Sequence, residues 1–454
     1  MEKHSKSIRI DRSLSLPAYV KEALQILDEA GHIAYVVGGC VRDFLLGKDI
    51  KDYDIATSAN PQELCRLFPR AITVGKAFGV IKVPTDSSPN LLEIATFRQD
   101  GDYQNHRHPV SVTFTGPWQD AQRRDFSINA LFYDPKTQRI IDSVGGYEDL
   151  KNGLIRAIGN PAERFREDAL RLLRAVRFQA RFQFQLHADT ADAIRAKAHL
   201  ISKVSAERVR DELTEMWTGP SPSEALKTLS ELKLLQYVLP EVEALKGITQ
   251  IPSHDRNEDL WNHMLKTLRH LERQSPTRSM TMAWAAILHE IGKPVIAHAN
   301  ADKNFNGHEI ESAKLAEKIA MRLKMPRADV SRIAAMVNDH LKFREVFQMR
   351  ESTLQRFIRQ EYFEEILAFH RADAAASDGN LAFHEFCLNR FETLKRAAAF
   401  DLRRLIDGKD LIQLGFSPGP EFSEILRTVE DLALEKKLNS KEEALEYVIK
   451  NFVR

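Results

Sequence analysis

The pattern of apolar and polar positions changes character about a third of the way along the chain. Up to residue 157, short apolar runs rich in β-forming residues alternate with short amphipathic segments. Beyond Asn160 and Pro161, apolar residues recur every three to four positions as far as the C-terminus, which predicts helices. The strands are predicted at residues 35–37, 53–55, 71–74, 80–83, 91–96, 110–114 and 140–142. The pattern therefore predicts an α+β protein with a head of strands and helices and a long helical body.

Length and composition narrow the class of protein. The 454 residues suffice for two to four domains, and the apolar fraction of 43% and charged fraction of 28% are ordinary for a globular protein. The net charge of +1 means that any affinity for nucleic acid must come from a local basic face. The three cysteines contain no Cys-x-x-Cys pair, which argues against disulfides and a structural zinc site. No apolar run approaches the ~18 residues of a membrane span and no signal peptide is evident, so we expect a cytoplasmic protein.

Two acidic residues follow a glycine turn in the head. The apolar run 33–37 leads into Gly38 and Gly39, and consecutive glycines let backbone N–H groups approach a phosphate closely. In the next predicted strand, Asp52 and Asp54 are two residues apart, so both carboxylates project from one face. Such a pair repels unless a hard cation lies between the two groups, and Mg²⁺ prefers carboxylates together with phosphate oxygens and water. This combination is what metal-assisted nucleotidyl transfer needs.

A second charged segment has the sequence RRDFSINA at residues 123–130. Arg123 and Arg124 would precede a predicted apolar helix, where the helix dipole disfavours positive charge. Guanidinium groups match phosphate oxygens, so this placement favours the binding of a triphosphate. Asp125 and Asn129 lie four residues apart and would share one face of the predicted helix.

A third segment, residues 163–181, predicts one amphipathic helix. Its apolar residues fall on one face, while Asp168, Arg171 and Arg174 lie one turn apart on another. The carboxylate of Asp168 can accept from an exocyclic amine, and the guanidinium of Arg171 can donate to a ring nitrogen or a carbonyl. Cytosine and adenine both present an amine beside an acceptor, so this pair would accept CTP and ATP. On the residues alone, a helix with a surface salt bridge is the alternative.

Together and in this order, these segments resemble the motifs of class II tRNA nucleotidyltransferases (CCA-adding enzymes) and of bacterial poly(A) polymerases. Both groups belong to the polymerase-β-like nucleotidyltransferase superfamily. The resemblance is close over residues 30–245 and rests on GGCVRD at 38–43, DYDIAT at 52–57, RRDFSINA at 123–130 and EDALR at 167–171. It implies a polymerase-β-like head with a mixed sheet and Mg²⁺ as the cofactor. It also implies metal-binding and catalytic roles for Asp52 and Asp54, with Glu93 as a third acidic group. The residues expected to bind the nucleotide are Gly38, Gly39, Arg42, Arg123, Arg124, Asp125, Asn129, Glu167, Asp168, Arg171, Arg174 and Arg177.

Three further segments resemble parts of the same family. The sequence GKAFG at 75–79 resembles a family turn and lacks the basic pair typical of poly(A) polymerases there. The sequence DGDYQNHRHP at 100–109 resembles the flexible loop of CCA-adding enzymes, with Asn105 and His108 where aspartate and arginine are usual. CC-adding enzymes lack most of this loop, so its presence argues against CC addition alone. The sequence SAERVRDEL at 205–213 resembles the last motif of the family's neck domain.

The C-terminal half resembles an HD phosphohydrolase domain in the order of its metal-ligand residue types. An HD site needs an adjacent His-Asp pair, whereas here Glu290 follows His289. The longer side chain moves the carboxylate outward by about one C–C bond, ~1.5 Å. We therefore expect a degenerate domain that serves as a scaffold. The residues that carry this resemblance are His263, His289, His308, His340 and Asp373.

The resemblance predicts four domains. They are a nucleotidyltransferase head at 1–157, a helical neck that recognises the base at 158–245, an HD-like body at 246–400 and a tail that contacts tRNA at 401–454. The leading function is the addition of CCA, or part of it, to tRNA 3′ ends from CTP and ATP. Poly(A) polymerase, A-adding-only tRNA nucleotidyltransferase and HD-type phosphohydrolase remain alternatives. The expected partner is the acceptor stem and TΨC arm of tRNA; neither a protein partner nor a membrane is evident.

Overall fold

The computed structural model describes residues 5–73, 79–85, 91–101, 103–104, 108–249, 259–299, 305–396 and 405–452. The chain forms two compact units, Met1–Glu243 and Ala244–Arg454. The first unit combines strands and helices, and the described part of the second unit is helical. No helix of the described residues is long and apolar enough to span a membrane. The finer division into four domains stays a prediction.

The first unit begins with strands and short helices and ends with helices. Its strands are β1 (Lys6–Arg9), β2 (Ala34–Val37), β3 (Asp54–Thr57), β4 (Val80–Val83), β5 (Leu92–Thr96), β6 (Arg98–Asp100), β7 (Tyr103–Gln104), β8 (His108–Pro109), β9 (Val112–Phe114), β10 (Leu131–Asp134), β11 (Arg139–Asp142), β12 (Leu154–Ile155) and β13 (Gln185–Leu186). Its α-helices are α1 (Ala18–Glu29), α2 (Gly39–Leu45), α3 (Pro61–Leu67), α4 (Pro117–Gln122), α5 (Gly146–Lys151), α6 (Pro161–Glu167), α7 (Arg171–Phe182), α8 (Ala188–Lys197), α9 (Ala206–Thr218), α10 (Pro222–Glu231), α11 (Leu235–Val238) and α12 (Pro240–Glu243). Among the described residues of this unit, Ser127–Asn129 and Ala198–Lys203 form 3₁₀ helices.

A mixed sheet of seven strands organises the head. Its strand order is β1-β11-β10-β2-β3-β5-β4, and only β3 and β5 run parallel to each other. The parallel register sets Asp54 directly opposite Glu93. Side chains of opposed residues on neighbouring strands project from the same face of the sheet. The sheet therefore brings two of the predicted acidic residues together from positions far apart in the sequence.

Aromatic residues pack on the face of the sheet from which Asp54 and Glu93 project, since Phe132 lies opposite Val37 and Val37 lies opposite Asp54. Phe97 and Phe132 are fully buried, and their ring centroids lie 6.2 Å apart. Tyr35 of β2 contacts both rings at centroid distances of 6.0 and 6.2 Å. Such tilted and edge-on contacts add to the free energy gained by burial. They hold β2, β10 and the residue after β5 together beside the acidic residues.

Two helix predictions in the first unit are wrong. Residues 163–181 form two helices, α6 and α7, because Asp168 adopts an extended conformation (φ −136°, ψ 104°) between them. The predicted helix carrying Asp125 and Asn129 is a single 3₁₀ turn, since Phe126 is extended and pairs with Ala157 across an isolated bridge. Arg123 and Arg124 consequently follow the C-terminal end of α4, where the helix dipole favours cations.

Most of the predicted strands are present in the structure. The strand predicted at 71–74 is wrong for the described residues 71–73, where only Ile72 pairs with Lys82 in an isolated bridge. Two strands of the main sheet, β1 and β10, were not predicted, although β10 has the apolar sequence LFYD. The first of these is a largely polar edge strand with the sequence KSIR, so it lacks an apolar pattern.

The second unit is built from helices packed around their own cores. Its helices are α13 (Leu260–Gln274), α14 (Met280–Leu288), α15 (Lys293–Ala299), α16 (His308–Arg322), α17 (Arg327–Asp339), α18 (Glu351–Ile358), α19 (Phe363–Ala376), α20 (Ala382–Arg396), α21 (Gly408–Gln413), α22 (Pro420–Leu434) and α23 (Lys441–Phe452), with a 3₁₀ helix at Lys342–Glu345. Every residue of α14 from Thr281 to Leu288 is buried, so this helix forms the centre of the unit. The last three helices enclose a separate apolar cluster of Ile406, Leu411, Ile425, Val429, Ala444 and Val448.

Candidate active site

A cavity of about 660 Å³ opens in the first unit beside the ends of β2 and β3. It collects residues from the glycine turn, the acidic strand, the arginine pair and helix α7. Of the predicted nucleotide-binding residues, only Glu167 does not line it. The lining residues are Gly38, Gly39, Cys40, Arg42, Asp43, Ile50, Lys51, Asp52, Asp54, Arg123, Arg124, Asp125, Asn129, Asp168, Arg171, Arg174, Arg177, Phe178 and Arg181.

The acidic residues form one end of the site. Asp52 is exposed just before β3, and Asp54 is the first residue of that strand. Burial, together with the charges of Glu93 and Asp52, raises the pKa of Asp54 to about 6, and Arg124 opposes this rise. Glu93 is not among the cavity-lining residues and lies 3.9 Å from the ammonium of Lys82 (Nζ to Oε2). A divalent cation at Asp54 would offset this concentration of negative charge.

The glycine turn follows the end of β2. Gly38 has φ +76° and ψ −130°, a conformation that side-chain-bearing residues avoid. A Cβ atom on Gly38 would lie 3.3 Å from Nη1 of Arg124 and 3.9 Å from Oδ2 of Asp54. The turn therefore requires glycine both for its backbone angles and for space beside the acidic and basic residues.

One fully buried carboxylate organises the arginine pair. Asp120 of α4 accepts from Nε of Arg123 at 2.8 Å and from Nη2 of Arg124 at 3.0 Å. Burial alone would raise the pKa of Asp120, but the two guanidinium groups lower it. Arg124 also donates through Nη1 to the backbone carbonyl of Asn129 at 3.3 Å. The sequence analysis missed Asp120, although its position three and four residues before the arginines was a usable signal.

Asn129 links the glycine turn to Asp125. It accepts from Nη1 of Arg42 at 2.5 Å and donates through Nδ2 to Oδ1 of Asp125 at 3.0 Å. Arg42 also donates through Nε to Asp43 at 2.8 Å, and Arg181 donates to the other oxygen of that carboxylate at 3.2 Å. Asp43 and Arg181 were not predicted, because the sequence gives no sign that α2 and α7 meet.

Two buried acids fix the arginines of α7. Arg174 donates through Nε to Oδ2 of Asp125 at 2.8 Å, and Arg177 donates through Nε to Oε2 of Glu212 at 2.6 Å. Burial alone would raise the pKa of Asp125, but Arg174 and Asn129 hold it at about 2. These guanidinium groups are oriented before any ligand binds, which reduces the entropy lost on binding. Glu212 comes from α9 and was also missed.

The proposed base-reading residues lie at the turn between α6 and α7. Oδ1 of Asp168 accepts from the backbone N–H of Leu170 at 3.0 Å, and Oδ2 accepts from Nη2 of Arg208 at 2.8 Å. Arg208 belongs to the segment that resembles the last neck motif.

Arg171 is held separately from Asp168. It donates through Nη1 to Oε2 of Glu167 at 2.7 Å and through Nη2 to the backbone carbonyl of Arg123 at 3.1 Å. The structure thus brings Asp168 and Arg171 to one cavity, each with its own support.

The predicted loops are only partly described. Residues 75–78 of the GKAFG segment and residues 102 and 105–107 of the DGDYQNHRHP segment, including Asn105, lie outside the described residues. Gly79 has φ +77°, and a Cβ atom there would lie 2.9 Å from Phe114. The described ends of the second loop form the antiparallel pair β7 and β8.

Compact sets of possible metal ligands occur elsewhere. Within the described residues, the second unit contains two sets of three residues whose donor atoms lie within 4.8 Å of one another. One set is His263, His289 and Glu290, and the other is Glu290, His308 and His340. The acidic residues of the first unit, Asp52, Asp54 and Glu93, do not form such a compact set. An open group suits a hard cation that completes its coordination with phosphate oxygens and water.

Comparison with known proteins agrees with this architecture. The family described as "Poly A polymerase head domain" matches residues 34–156, "Probable RNA and SrmB- binding site of polymerase A" matches 183–246, and "HD domain" matches 260–366. Fold and site together define a nucleotidyltransferase with a poly(A)-polymerase-type head.

Individual relatives identify the family within that class. The CCA-adding enzyme of Lactobacillus helveticus is 32% identical over 444 residues, which cover 97% of this chain and 98% of that protein. The CCA-adding enzyme of Geobacillus thermodenitrificans is 46% identical over 213 residues, 47% of this chain and 52% of that protein. The crystal structure of the Bacillus stearothermophilus CCA-adding enzyme with CTP is similar with a TM-score of 0.70 and 29% identity, covering 96% of this chain and 98% of that one. The chain belongs to the family of CCA-adding enzymes, which are tRNA nucleotidyltransferases.

Proposed function

We propose that this protein adds CCA, or part of it, to the 3′ ends of tRNA from CTP and ATP. The observation that carries the proposal is the single cavity that joins the acidic end, the arginine pair and the Asp168–Arg171 region. Nucleotidyl transfer needs these three functions in one place: a metal site, a triphosphate site and a base site. The likeness to the Lactobacillus helveticus CCA-adding enzyme over nearly the whole length supports the same activity.

Asp52 and Asp54 would hold Mg²⁺, with Glu93 as a further acidic group. In the reaction, the 3′ oxygen of tRNA attacks the α-phosphorus, the bond between the α- and β-phosphates breaks, and pyrophosphate leaves. When bound, Mg²⁺ supplies activation of the attacking hydroxyl and neutralises charge on the leaving group. The raised pKa of Asp54 supports this role, because a carboxylate that is buried and close to other negative charges is stabilised by a cation.

The arginines would bind the triphosphate and the sugar. Arg123 and Arg124 share one buried carboxylate, Asp120, so two guanidinium groups carry one compensating charge. This leaves a net positive group beside the acidic end, which suits phosphate. Arg42 and Asn129, linked by their hydrogen bond, would contact the ribose and the phosphates.

Asp168 and Arg171 would read the base. The bonds from Leu170 and Arg208 fix the carboxylate of Asp168, and the bond to Glu167 fixes the guanidinium of Arg171. A fixed acceptor beside fixed donors can select bases that present an amine beside an acceptor, which are cytosine and adenine. Glu167 would orient the pair and would not touch the nucleotide.

A matrix of primers and nucleotides tests the function. Purified protein is incubated with tRNAs that end at the discriminator base, at the first C or at the second C, each with a single nucleoside triphosphate. We expect CTP incorporation on the first two primers, ATP incorporation on the third, and little use of UTP or GTP. ATP incorporation on the third primer alone would identify an A-adding enzyme instead.

The purified protein also allows a test of two alternative functions. Efficient extension of unstructured RNA by many A residues, in preference to tRNA, would indicate a poly(A) polymerase. Hydrolysis of phosphate esters that is lost in His289→Ala but kept in Asp52→Ala would indicate a phosphohydrolase in the second unit. The cytoplasmic location and the tRNA contact by the tail stay predictions.

A further inference from the structure

The lining of the cavity contains an aromatic ring that the proposed function does not use. Phe178 of α7 is buried, and its ring meets Phe126 of the RRDFSINA segment edge-on, with centroids 5.8 Å apart. Phe182 follows one turn later on the same helix. The rings of Phe178 and Phe182 are nearly parallel, at 11°, with centroids 6.0 Å apart. The two rings therefore form one aromatic surface along α7.

Three of the arginines expected to bind the nucleotide lie over the ring of Phe178. The guanidinium carbon is 4.6 Å from the ring centroid in Arg177, 5.2 Å in Arg174 and 5.3 Å in Arg42. Arg42 also lies 4.7 Å from the centroid of Phe182. A guanidinium within ~6 Å of a ring centroid is attracted by the negative face of the ring. One phenyl ring thus contacts arginines from two helices, α2 and α7.

Positive charge is in excess among the groups around the two rings. Hydrogen bonds and ion pairs join four arginines to three carboxylates there. Burial lowers the pKa of Arg42, Asp43 opposes this effect, and the charge of Arg181 adds to the lowering. The aromatic faces are therefore needed to stabilise charge that the carboxylates do not balance. The arginines are Arg42, Arg174, Arg177 and Arg181, and the carboxylates are Asp43, Asp125 and Glu212.

Phe178 also closes a ring of contacts between the glycine turn and α7. Arg42 donates to Asn129 at 2.5 Å, and Asn129 donates to Oδ1 of Asp125 at 3.0 Å. Arg174 donates to Oδ2 of the same carboxylate at 2.8 Å. The guanidinium groups at the two ends of this chain, those of Arg42 and Arg174, both lie over Phe178. Loss of the aromatic face would therefore withdraw support from both ends of the chain.

An aromatic side chain suits this position because it attracts cations and carries no charge itself. A carboxylate in the same place would also attract the arginines, but it would repel a triphosphate and compete with it for the guanidinium groups. A phenyl ring adds no negative charge to the cavity. It can hold the guanidinium groups before the nucleotide binds, which reduces the entropy lost on binding.

We propose that Phe178 is a positioning residue for nucleotide binding, whose aromatic face holds Arg42, Arg174 and Arg177 ready to receive the triphosphate. It acts through these arginines, and Phe182 supports Arg42 from a second ring. The proposal rests on the proposed function, which assigns the arginines of this cavity to the nucleotide. It adds to that function the device that keeps the arginines in place without neutralising them.

Fluorinated phenylalanine at position 178 of the full-length chain tests the proposal. Each added fluorine weakens the negative face of the ring and changes its shape little. Calorimetry in the presence of Mg²⁺ measures the Kd of CTP and of CMP for rings with no, one, two and three fluorines. We expect the Kd of CTP to rise with each fluorine, to roughly 5- to 10-fold for three fluorines. The Kd of CMP should rise less, because CMP lacks the β- and γ-phosphates.

The same series at position 363 is the matched control. Phe363 is fully buried in the second unit among the rings of Phe343, Phe357 and Phe391, so fluorination there should leave the affinity for CTP unchanged. Phe178→Leu, which removes the aromatic face, should weaken CTP binding at least as much as three fluorines. If Phe178→Leu does not fold, the fluorinated series still decides the outcome, because it preserves the shape of the ring.

A Kd for CTP that is constant or falls through the Phe178 series overturns the proposal, since a ring that only fills space would give this result. If the same proteins incorporate CTP into tRNA primers normally, the proposed function stands without it. A wild type that binds CTP but incorporates neither CTP nor ATP overturns the proposed function, and the fluorine dependence of the Kd still decides the role of Phe178. A wild type that binds no CTP overturns both.

Discussion

Replacing Asp54 by asparagine should stabilise the metal-free protein while removing its activity. Asp54 lies opposite Glu93 in the parallel strand pair, and burial together with the charges of Glu93 and Asp52 raises its pKa to about 6, against the opposing effect of Arg124. Near neutral pH and above, the folded chain therefore contains an ionised carboxylate in surroundings that disfavour ionisation. Asparagine has nearly the same shape and carries no charge.

The size of the effect follows from the pKa shift. The pKa rises from 3.8 to about 6, and a shift of about two units corresponds to ~3 kcal/mol at ~1.4 kcal/mol per unit. Because the folded-state pKa is the higher one, the destabilisation is fully present above pH ~6, about half as large at pH ~5, and lost below pH ~4. Asp54→Asn should therefore raise the free energy of unfolding by up to ~3 kcal/mol at pH 8. Lost hydrogen bonds of the carboxylate would reduce this gain.

Unfolding curves in the presence of EDTA measure the effect. At pH 8, the melting temperature of the first unit should rise by up to ~6–12 °C, using ~2–4 °C per kcal/mol for a unit of this size. Mg²⁺ should stabilise the wild type and have little effect on the variant, because ligand binding stabilises only a protein that binds it. Asp49→Asn, which changes an exposed carboxylate just before β3, is the control and should alter neither property. A variant that is less stable than the wild type at pH 8 without metal would refute the reasoning, as would an equal gain at pH 8 and pH 4.

Three further outcomes are expected. Asp52→Ala should abolish nucleotide incorporation in a primer-extension assay and leave tRNA binding in a filter assay intact; more than a few per cent of residual rate would rule out its metal role. Glu93→Gln should raise the Mg²⁺ concentration for half-maximal rate by roughly 10-fold, since one nearby charge is worth on the order of 1 kcal/mol. An unchanged Mg²⁺ requirement would remove Glu93 from the site. Minihelices of unrelated sequence should serve as substrates with an affinity that falls steeply with salt, because A-form RNA is recognised by shape and backbone; sequence-dependent use would contradict this.

The cavity could be predicted because its residues come from short segments with strong local chemistry. The glycine turn, the Asp52–Asp54 pair and the arginine pair are each recognisable within a few residues. The side chains that orient these cavity residues were not predicted. Glu212 looked like an ordinary helix charge, since nothing local shows that it is buried against Arg177 from another helix. Asp120 was overlooked although its arginine partners follow three and four residues later.

The helix break at Asp168 escaped prediction for a similar reason. Apolar periodicity continues through residues 163–181, and Ala169 and Leu172 are fully buried as expected. At the break, Oδ1 of Asp168 accepts from the N–H of Leu170 and Oδ2 accepts from Arg208 of α9, a partner that the segment itself does not reveal.

Selection of the nucleotide by the side chains of Asp168 and Arg171 is the central claim to test. Asp168→Ala removes an acceptor and leaves donors unpaired, at a cost of about 1–3 kcal/mol for the correct base. The assay measures the incorporation of each nucleoside triphosphate, supplied singly, on tRNA primers. The control is Asp192→Ala, which changes an exposed residue of α8. We expect Asp168→Ala to lower CTP and ATP use by roughly 10- to 100-fold and to raise the relative use of UTP or GTP. A uniform loss of rate with selectivity for C and A unchanged would contradict the account.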